Sequence, residues 1–113
     1  EKQEEYSHKK KLEQIAWERY HIEKTWKRGV SMFWLPKESE HIDGRSYAQT
    51  SRFELGESKI RHEISYSKLV IGIEEGFSGE NYLRNVFSAD CKNVLIKNNL
   101  KETCKEAVRL VKL

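Results

Sequence analysis

The first part of the chain has the hydrophobic pattern of one long amphipathic helix. Apolar residues recur at spacings of three and four, and no Pro or Gly occurs before Gly29. A glycine after a basic last turn favours the end of a helix, so we predict a helix over residues 2–29. Its apolar arc on a helical wheel comprises Leu12, Ile15, Ala16, Arg19, Ile22 and Trp26, with Tyr20 at the edge.

The middle of the chain has patterns that are typical of strands. Residues 30–35 are apolar and end at Pro36, which predicts a first strand, and a polar loop follows over residues 37–45. Residues 47–55 and 60–66 alternate between two faces around a central turn, which predicts a β-hairpin. Residues 69–73 form a more continuously apolar strand.

The last part of the chain predicts a second hairpin and a capped helix. Residues 82–87 and 94–96 form the hairpin pattern, and Asn99 with Glu102 forms an N-cap and its capping-box partner. From Tyr82 onward, this strand–turn–strand–helix order resembles many small phage and mobile-element proteins. The resemblance concerns architecture and transfers no residue.

The order of these elements defines the predicted fold class. Consecutive strands joined by short turns favour an antiparallel sheet over a parallel one. We therefore predict a single α+β domain over residues 1–113. It has a long N-terminal helix, an antiparallel sheet of about four to five strands and a C-terminal helix, with both helices on one face of the sheet.

Composition narrows the partners and the location. The chain has 113 residues and a net charge of +3, spread without any strongly basic segment, so charge alone does not indicate nucleic acid. No apolar run reaches the ~18–20 residues that cross a bilayer, and the first residues do not resemble a signal peptide. Two cysteines form no disulfide framework, and we expect Cys104 to be a buried free thiol. We predict a cytoplasmic protein without a membrane partner.

Catalytic motifs are absent from the sequence. There is no Gly-x-Ser-x-Gly motif, no phosphate-binding glycine loop and no cysteine in an electropositive setting. The polar loop contains Glu38, Glu40, His41 and Asp43, the residue types of a metal-dependent hydrolase, but nothing downstream completes a ligand pattern. We predict no catalytic residue, no metal site and no cofactor.

One surface of the first predicted helix combines aromatic and basic side chains away from the apolar arc. This aromatic-basic face comprises Lys10, Trp17, His21, Lys24 and Arg28, and Tyr6 extends it by a turn. Trp and Arg dominate the binding energy of protein interfaces, and an exposed Trp between cations also suits a nucleic-acid base between phosphates. Alternatively, Trp17 packs on the sheet edge or a loop, and the cations are ordinary solvated residues.

These observations predict a non-enzymatic accessory or inhibitor protein that docks on a protein or nucleoprotein partner through the aromatic-basic face. The first alternative is a direct nucleic-acid-binding module, although Glu13 and Glu18 beside Trp17 weaken the positive field. A small metal-dependent hydrolase or nuclease is a more distant alternative. A homodimer is a further partner arrangement, because a small sheet leaves an edge that can pair.

Overall fold

The structure, a computed structural model, describes residues 2–44 and 46–113. Glu1 and Arg45 belong to the predicted single domain but lie outside the described residues. The elements in chain order are α1 Lys2–Arg28, β1 Val30–Leu35, α2 Gln49–Ser65, β2 Lys68–Ile73, α3 Glu80–Asp90, β3 Ile96–Lys97 and α4 Leu100–Val111.

The two terminal helices form where the sequence predicts them. Helix α1 ends at Arg28, and the Gly29 N–H donates a 2.9 Å hydrogen bond to Thr25 O. At the start of α4, Asn99 Oδ1 accepts a 2.8 Å hydrogen bond from Glu102 N, so the N-cap is confirmed. Strand β1 also has the predicted bounds.

The sheet differs from the prediction in direction and in number of strands. Its order is β1-β2-β3 and both pairs are parallel, with Val30 opposite Lys68 and Ile71 opposite Ile96. The prediction of an antiparallel sheet with about four to five strands is therefore wrong. Parallel neighbours require a crossover connection, and α2 and α3 supply it between successive strands.

The first predicted hairpin is wrong, because its residues form helix α2, which buries polar as well as apolar side chains. Ser58 and the half-buried Lys59 point into the protein, where Lys59 Nζ lies 2.9 Å from Asp90 Oδ2 of α3. Leu55 is buried, but Phe53 and Ile60 are exposed. The apolar residues of this segment therefore do not follow the helical period, and their alternation indicates a strand that does not form.

The second predicted hairpin is also wrong. Residues 82–87 belong to helix α3, which buries Phe87 and half-buries Leu83, four residues apart, while Tyr82 is exposed. Only the end of the predicted second strand is extended, as the two-residue strand β3. The resemblance to small phage and mobile-element proteins depended on this hairpin, so the structure does not support it.

Helices lie on both faces of the sheet. One face carries the core, formed by β-strand residues with α2, α3 and the segments beside α3: Leu35, Leu55, Leu69, Ile71, Ile73, Phe77, Phe87, Cys91 and Val94. Successive strand residues alternate between faces, so Val70 and Gly72 face α4. A Cβ on Gly72 would lie 2.0 Å from Thr103 Oγ1 of α4, which explains the glycine. Helix α1 contacts α2, which packs on the core face, whereas α4 packs on the opposite face. The prediction that both terminal helices lie on one face of the sheet is therefore wrong.

The expectation that Cys104 is a buried thiol is wrong. Cys104 is exposed on α4, whereas Cys91 is buried in the core. Burial raises the pKa of the Cys91 thiol, with the nearby carboxylate of Glu63 adding to the effect. In the described part of the chain, no helix is both long enough and apolar enough to cross a membrane.

Candidate interaction surface

Helix α1 is attached to the rest of the protein through its C-terminal half. Its 27 residues span about 40 Å at 1.5 Å per residue. Trp26 is 7% exposed, and its Nε1 donates a 2.9 Å hydrogen bond to Ser58 Oγ of α2. Ser67 Oγ, just before β2, donates a 2.6 Å bond to Trp26 O. Trp26 is therefore the anchor of α1.

A second attachment lies about two turns earlier on the same side of α1. The guanidinium of Arg19 contacts both carboxylate oxygens of Glu57 on α2, at 2.5 and 2.7 Å. The hydrogen bonds from Arg19 lower the pKa of Glu57. Burial raises the pKa of the neighbouring Glu54, and the charges of Glu18 and Glu57 raise it further. The seam between α1 and α2 is thus an acidic cluster in which Arg19 pairs with Glu57, and the charge of Arg61 lowers the pKa of Glu57 as well.

In the described part of the chain, nothing covers the N-terminal half of the apolar arc. Leu12 and Ile15 are exposed, whereas Ile22 is half-buried and Trp26 is buried. The sequence predicts one continuous buried arc here, and only its C-terminal part is covered. The N-terminal half of α1 therefore has little tertiary packing. Because an isolated helix is only marginally stable in water, this half is the less stable part of α1.

All five residues of the aromatic-basic face are exposed. The structure places Lys10, Trp17, His21, Lys24 and Arg28 on the side of α1 that faces away from α2. Trp17 is 64% exposed, so the alternative in which it packs on the sheet edge or a loop is wrong. The face is presented to solvent as one surface.

The aromatic rings of this surface are in mutual contact. The ring centroids of Trp17 and His21 are 4.2 Å apart at an interplanar angle of 52°. Tyr20 lies edge-on to His21, with centroids 5.3 Å apart. The structure therefore adds Tyr20, which the sequence placed only at the margin of the apolar arc. Helical neighbours at spacings of one and four bring the three rings into one cluster.

The two lysines of this surface each lie over an aromatic ring. Lys24 Nζ is 4.7 Å from the Tyr20 centroid, and Lys10 Nζ is 4.9 Å from the Tyr6 centroid. Among the side chains that the structure describes, no carboxylate oxygen lies within 4.0 Å of Lys10, Lys24 or Arg28. Their charges are free to meet an anionic group of a partner.

The polar loop that suggested a hydrolase lies at the carboxyl end of β1. His41 Nδ1 is 2.8 Å from Glu38 Oε1, and His41 Nε2 is 3.5 Å from Asp43 Oδ1. His41 and Asp43 are exposed and Glu38 is half-buried, and of these three only Glu38 lines the open depression that Tyr47 and the start of α2 also line. Within residues 2–44 and 46–113, no group of three potential ligands could hold a metal ion. The loop gives the hydrolase alternative no support.

Comparison with known proteins identifies no relative: no family model, no curated protein and no solved structure matches the chain.

Proposed function

We propose that this protein is a non-enzymatic binding protein whose aromatic-basic face docks on a protein partner or on the protein part of a nucleoprotein. The observation that carries the proposal is the exposed ring cluster of Trp17 and His21 between cations that contact no carboxylate among the described side chains. Trp and Arg are the residues that most often dominate interface energetics. Burial of such a cluster supplies both apolar area and charge complementarity.

The position of the face on the fold supports docking on a large, complementary surface. The face runs from Lys10 to Arg28, about 27 Å along the helix at 1.5 Å per residue. Its C-terminal end, at Lys24 and Arg28, borders a depression of about 230 Å³ beside Tyr20, which is smaller than the ~300–1,000 Å³ typical of small-molecule sites. A helix that lays one face into a groove is a common mode of protein recognition.

The charges near the face favour a protein over nucleic acid. Glu13 lies one turn before Trp17, and Glu18 follows Trp17 directly on the same helix. Phosphate backbones repel such carboxylates, while a protein surface of mixed charge can accommodate them. The partner surface that fits is therefore apolar at its centre and acidic at its rim.

The proposal is tested by partner capture with matched variants. Trp17→Ala and Lys24→Glu should each abolish capture of a partner from extracts of the source cells. Tyr82→Ala and Lys101→Glu change exposed residues of α3 and α4, outside the face, and should leave capture unchanged. Circular dichroism should show the same helix content for all four, because these side chains are exposed. Equal capture by wild type and both face variants would reject the proposal.

Direct binding of nucleic acid is the second candidate, favoured by the ring cluster between cations. An aromatic platform stacks a base, while cations such as Lys10, Lys24 and Arg28 neutralise phosphates. The candidate predicts that fluorescence anisotropy of a labelled oligonucleotide rises on addition of the protein. The affinity should fall steeply with salt, and Lys24→Glu should reduce it further. Binding with the same affinity at low and moderate salt would argue against this candidate.

A further inference from the structure

A depression between the C-terminal parts of α1 and α2 has the size of a small-molecule site. Its volume is about 470 Å³, within the ~300–1,000 Å³ typical of such sites. The lining residues are Glu23, Trp26 and Lys27 of α1, Arg61 and Ser65 of α2, and Ser67 just before β2. No residue of the aromatic-basic face is among them, so this depression is a separate candidate site.

Three charged side chains of this depression are exposed and contact no opposite charge in the described part of the chain. Among the described side chains, no carboxylate oxygen lies within 4.0 Å of Lys27 or Arg61. No basic nitrogen of these side chains lies within that distance of the Glu23 carboxylate. The depression therefore offers two cations and one carboxylate to a ligand.

Arg61 is positioned at the depression by the indole of Trp26. The guanidinium carbon of Arg61 lies 5.0 Å from the centroid of the Trp26 ring, where the ring attracts a cation. Trp26 is itself buried and bonded to Ser58, so this platform is fixed. The planar guanidinium can donate two parallel hydrogen bonds to a carboxylate. Arg61 is thus placed to bind a carboxylate group.

The other polar groups of the depression suit a positively charged hydrogen-bond donor. Ser67 is 7% exposed, and its Oγ donates its proton to Trp26 O at 2.6 Å, so this hydroxyl can only accept a bond from a ligand. The carboxylate of Glu23 is also an acceptor. Helices α1 and α2 both end beside the depression, and the C-terminal end of a helix favours a positive charge. An ammonium group therefore has partners next to Arg61 and Lys27.

We propose that this depression binds a free acidic α-amino acid of the glutamate or aspartate type. The two carboxylates of the ligand pair with Arg61 and Lys27, and its ammonium group donates to Glu23 and to Ser67 Oγ. Each charge of the ligand thereby meets one opposite charge of the site. A neutral amino acid would leave one cation unpaired, and a dicarboxylic acid without an amino group would meet the repulsion of Glu23.

The amino-acid site does not rest on the proposed function. Trp17 does not line the depression, so Trp17→Ala should leave amino-acid binding unchanged. Failure of partner capture and failure of amino-acid binding are therefore separate results.

Isothermal titration calorimetry of the full chain with L-glutamate and with L-aspartate tests the proposal. The wild type should bind both with saturation at one ligand per chain. Lys27→Gln and Arg61→Gln should each weaken binding at least several-fold, whereas Lys101→Gln changes an exposed cation of α4 and should have no effect. Because Arg61 also contacts Trp26, Arg61→Lys is included, and it should bind more tightly than Arg61→Gln. A wild type that binds neither amino acid, or a Lys27→Gln variant with wild-type affinity, would overturn the proposal.

The role of Glu23 is tested with glutarate, which has the two carboxylates of L-glutamate and no amino group. The wild type should bind L-glutamate at least several-fold more tightly than glutarate. Glu23→Gln removes both the partner of the ammonium group and the repulsion of glutarate, so this preference should shrink. L-glutamine lacks the second carboxylate and should bind the wild type at least several-fold more weakly than L-glutamate. A preference that is the same in Glu23→Gln as in the wild type would contradict the proposed orientation of the ligand.

Discussion

The indole Nε1 of Trp26 donates a 2.9 Å hydrogen bond to the hydroxyl of Ser58, and both side chains are buried. This bond joins the C-terminal part of α1 to the middle of α2. It is formed by the residue that sequence alternation assigned to a hairpin turn and by the last residue of the predicted apolar arc. The attachment of α1 therefore depends on a polar contact inside the protein.

Ser58→Ala should destabilise the protein by about 1–3 kcal/mol, because it leaves the buried Trp26 N–H without an acceptor. Chemical denaturation in urea measures the change in the free energy of unfolding. Ser65→Ala alters an exposed serine of the same helix and serves as the control, with an expected change below about 0.5 kcal/mol. Equal stability of both variants would show that the bond contributes nothing.

Gly72→Ala should destabilise the protein by at least about 1–3 kcal/mol, because the sheet and α4 leave no room for a Cβ. The new atom would lie 2.0 Å from Thr103 Oγ1 and 2.8 Å from Trp34 Cε3. Gly56→Ala is a control of opposite sign: its Cβ would meet nothing within 4 Å in α2, so stability should rise by about 0.5–1 kcal/mol. Thermal unfolding of both variants checks the two signs.

Tyr66→Gly should stabilise the protein by up to about 1 kcal/mol. Tyr66 caps α2 with a left-handed backbone at φ 58°, a conformation that costs little for glycine, and its side chain is 82% exposed. Tyr66→Ala keeps the strained backbone and should give no comparable gain. A loss of stability in Tyr66→Gly, measured by urea denaturation, would mean that the tyrosine ring makes a stabilising contact.

Acid should weaken the seam between α1 and α2 through Glu57. The hydrogen bonds from Arg19 lower the pKa of Glu57 in the folded protein. The contribution of Glu57 to the free energy of unfolding is therefore fully present above the ordinary carboxyl pKa of about 4.3. It is lost as the pH falls through the lower pKa that Glu57 has in the folded protein. Glu54, whose pKa is raised by burial, acts in the opposite direction.

The comparison of Glu57→Gln with the wild type isolates this contribution. Melting temperatures should be lower for Glu57→Gln at pH 7, and the difference should narrow below about pH 4, because protonation removes the wild-type carboxylate there. Carboxylates distant from Glu57 titrate equally in both proteins and cancel in the difference, whereas the pKa of Glu54, which the charge of Glu57 raises, is lower in the variant. A difference that stays constant with pH would exclude the Arg19 pair as its cause.

The sequence predicted those elements whose signals are local. The cap at Asn99, the end of α1 before Gly29 and the apolar run of β1 are each encoded within a few residues. The direction of the sheet was not predictable in the same way, because it depends on whether the segments between strands are helical. Two of those segments present Phe53 and Tyr82 to solvent, so their apolar residues do not mark the buried face.

The grouping of the aromatic-basic face on one side of α1 follows from the helix prediction, whereas its role in binding stays a prediction. A helical wheel was sufficient to group Trp17 with Lys24 and Arg28, because the helix itself was correct. Exposure of Trp17 was not determined by the wheel, since either side of α1 could have faced α2. Arg19 and Trp26 determine which side of α1 faces α2, and their partners Glu57 and Ser58 lie in the segment that the sequence assigned to the turn of a β-hairpin.

The three indoles lie at three depths, and this arrangement has a spectroscopic consequence. Trp17 is exposed on α1, Trp34 is half-buried on strand β1, and Trp26 is buried between α1 and α2. Indole emission moves to shorter wavelength when water is removed from the ring, so a ligand that covers α1 should shift the emission of Trp17 in the folded protein. Detachment of α1 should instead shift the emission of Trp26 to longer wavelength. The direction of the shift in tryptophan emission therefore distinguishes binding of a ligand to α1 from detachment of α1 from α2.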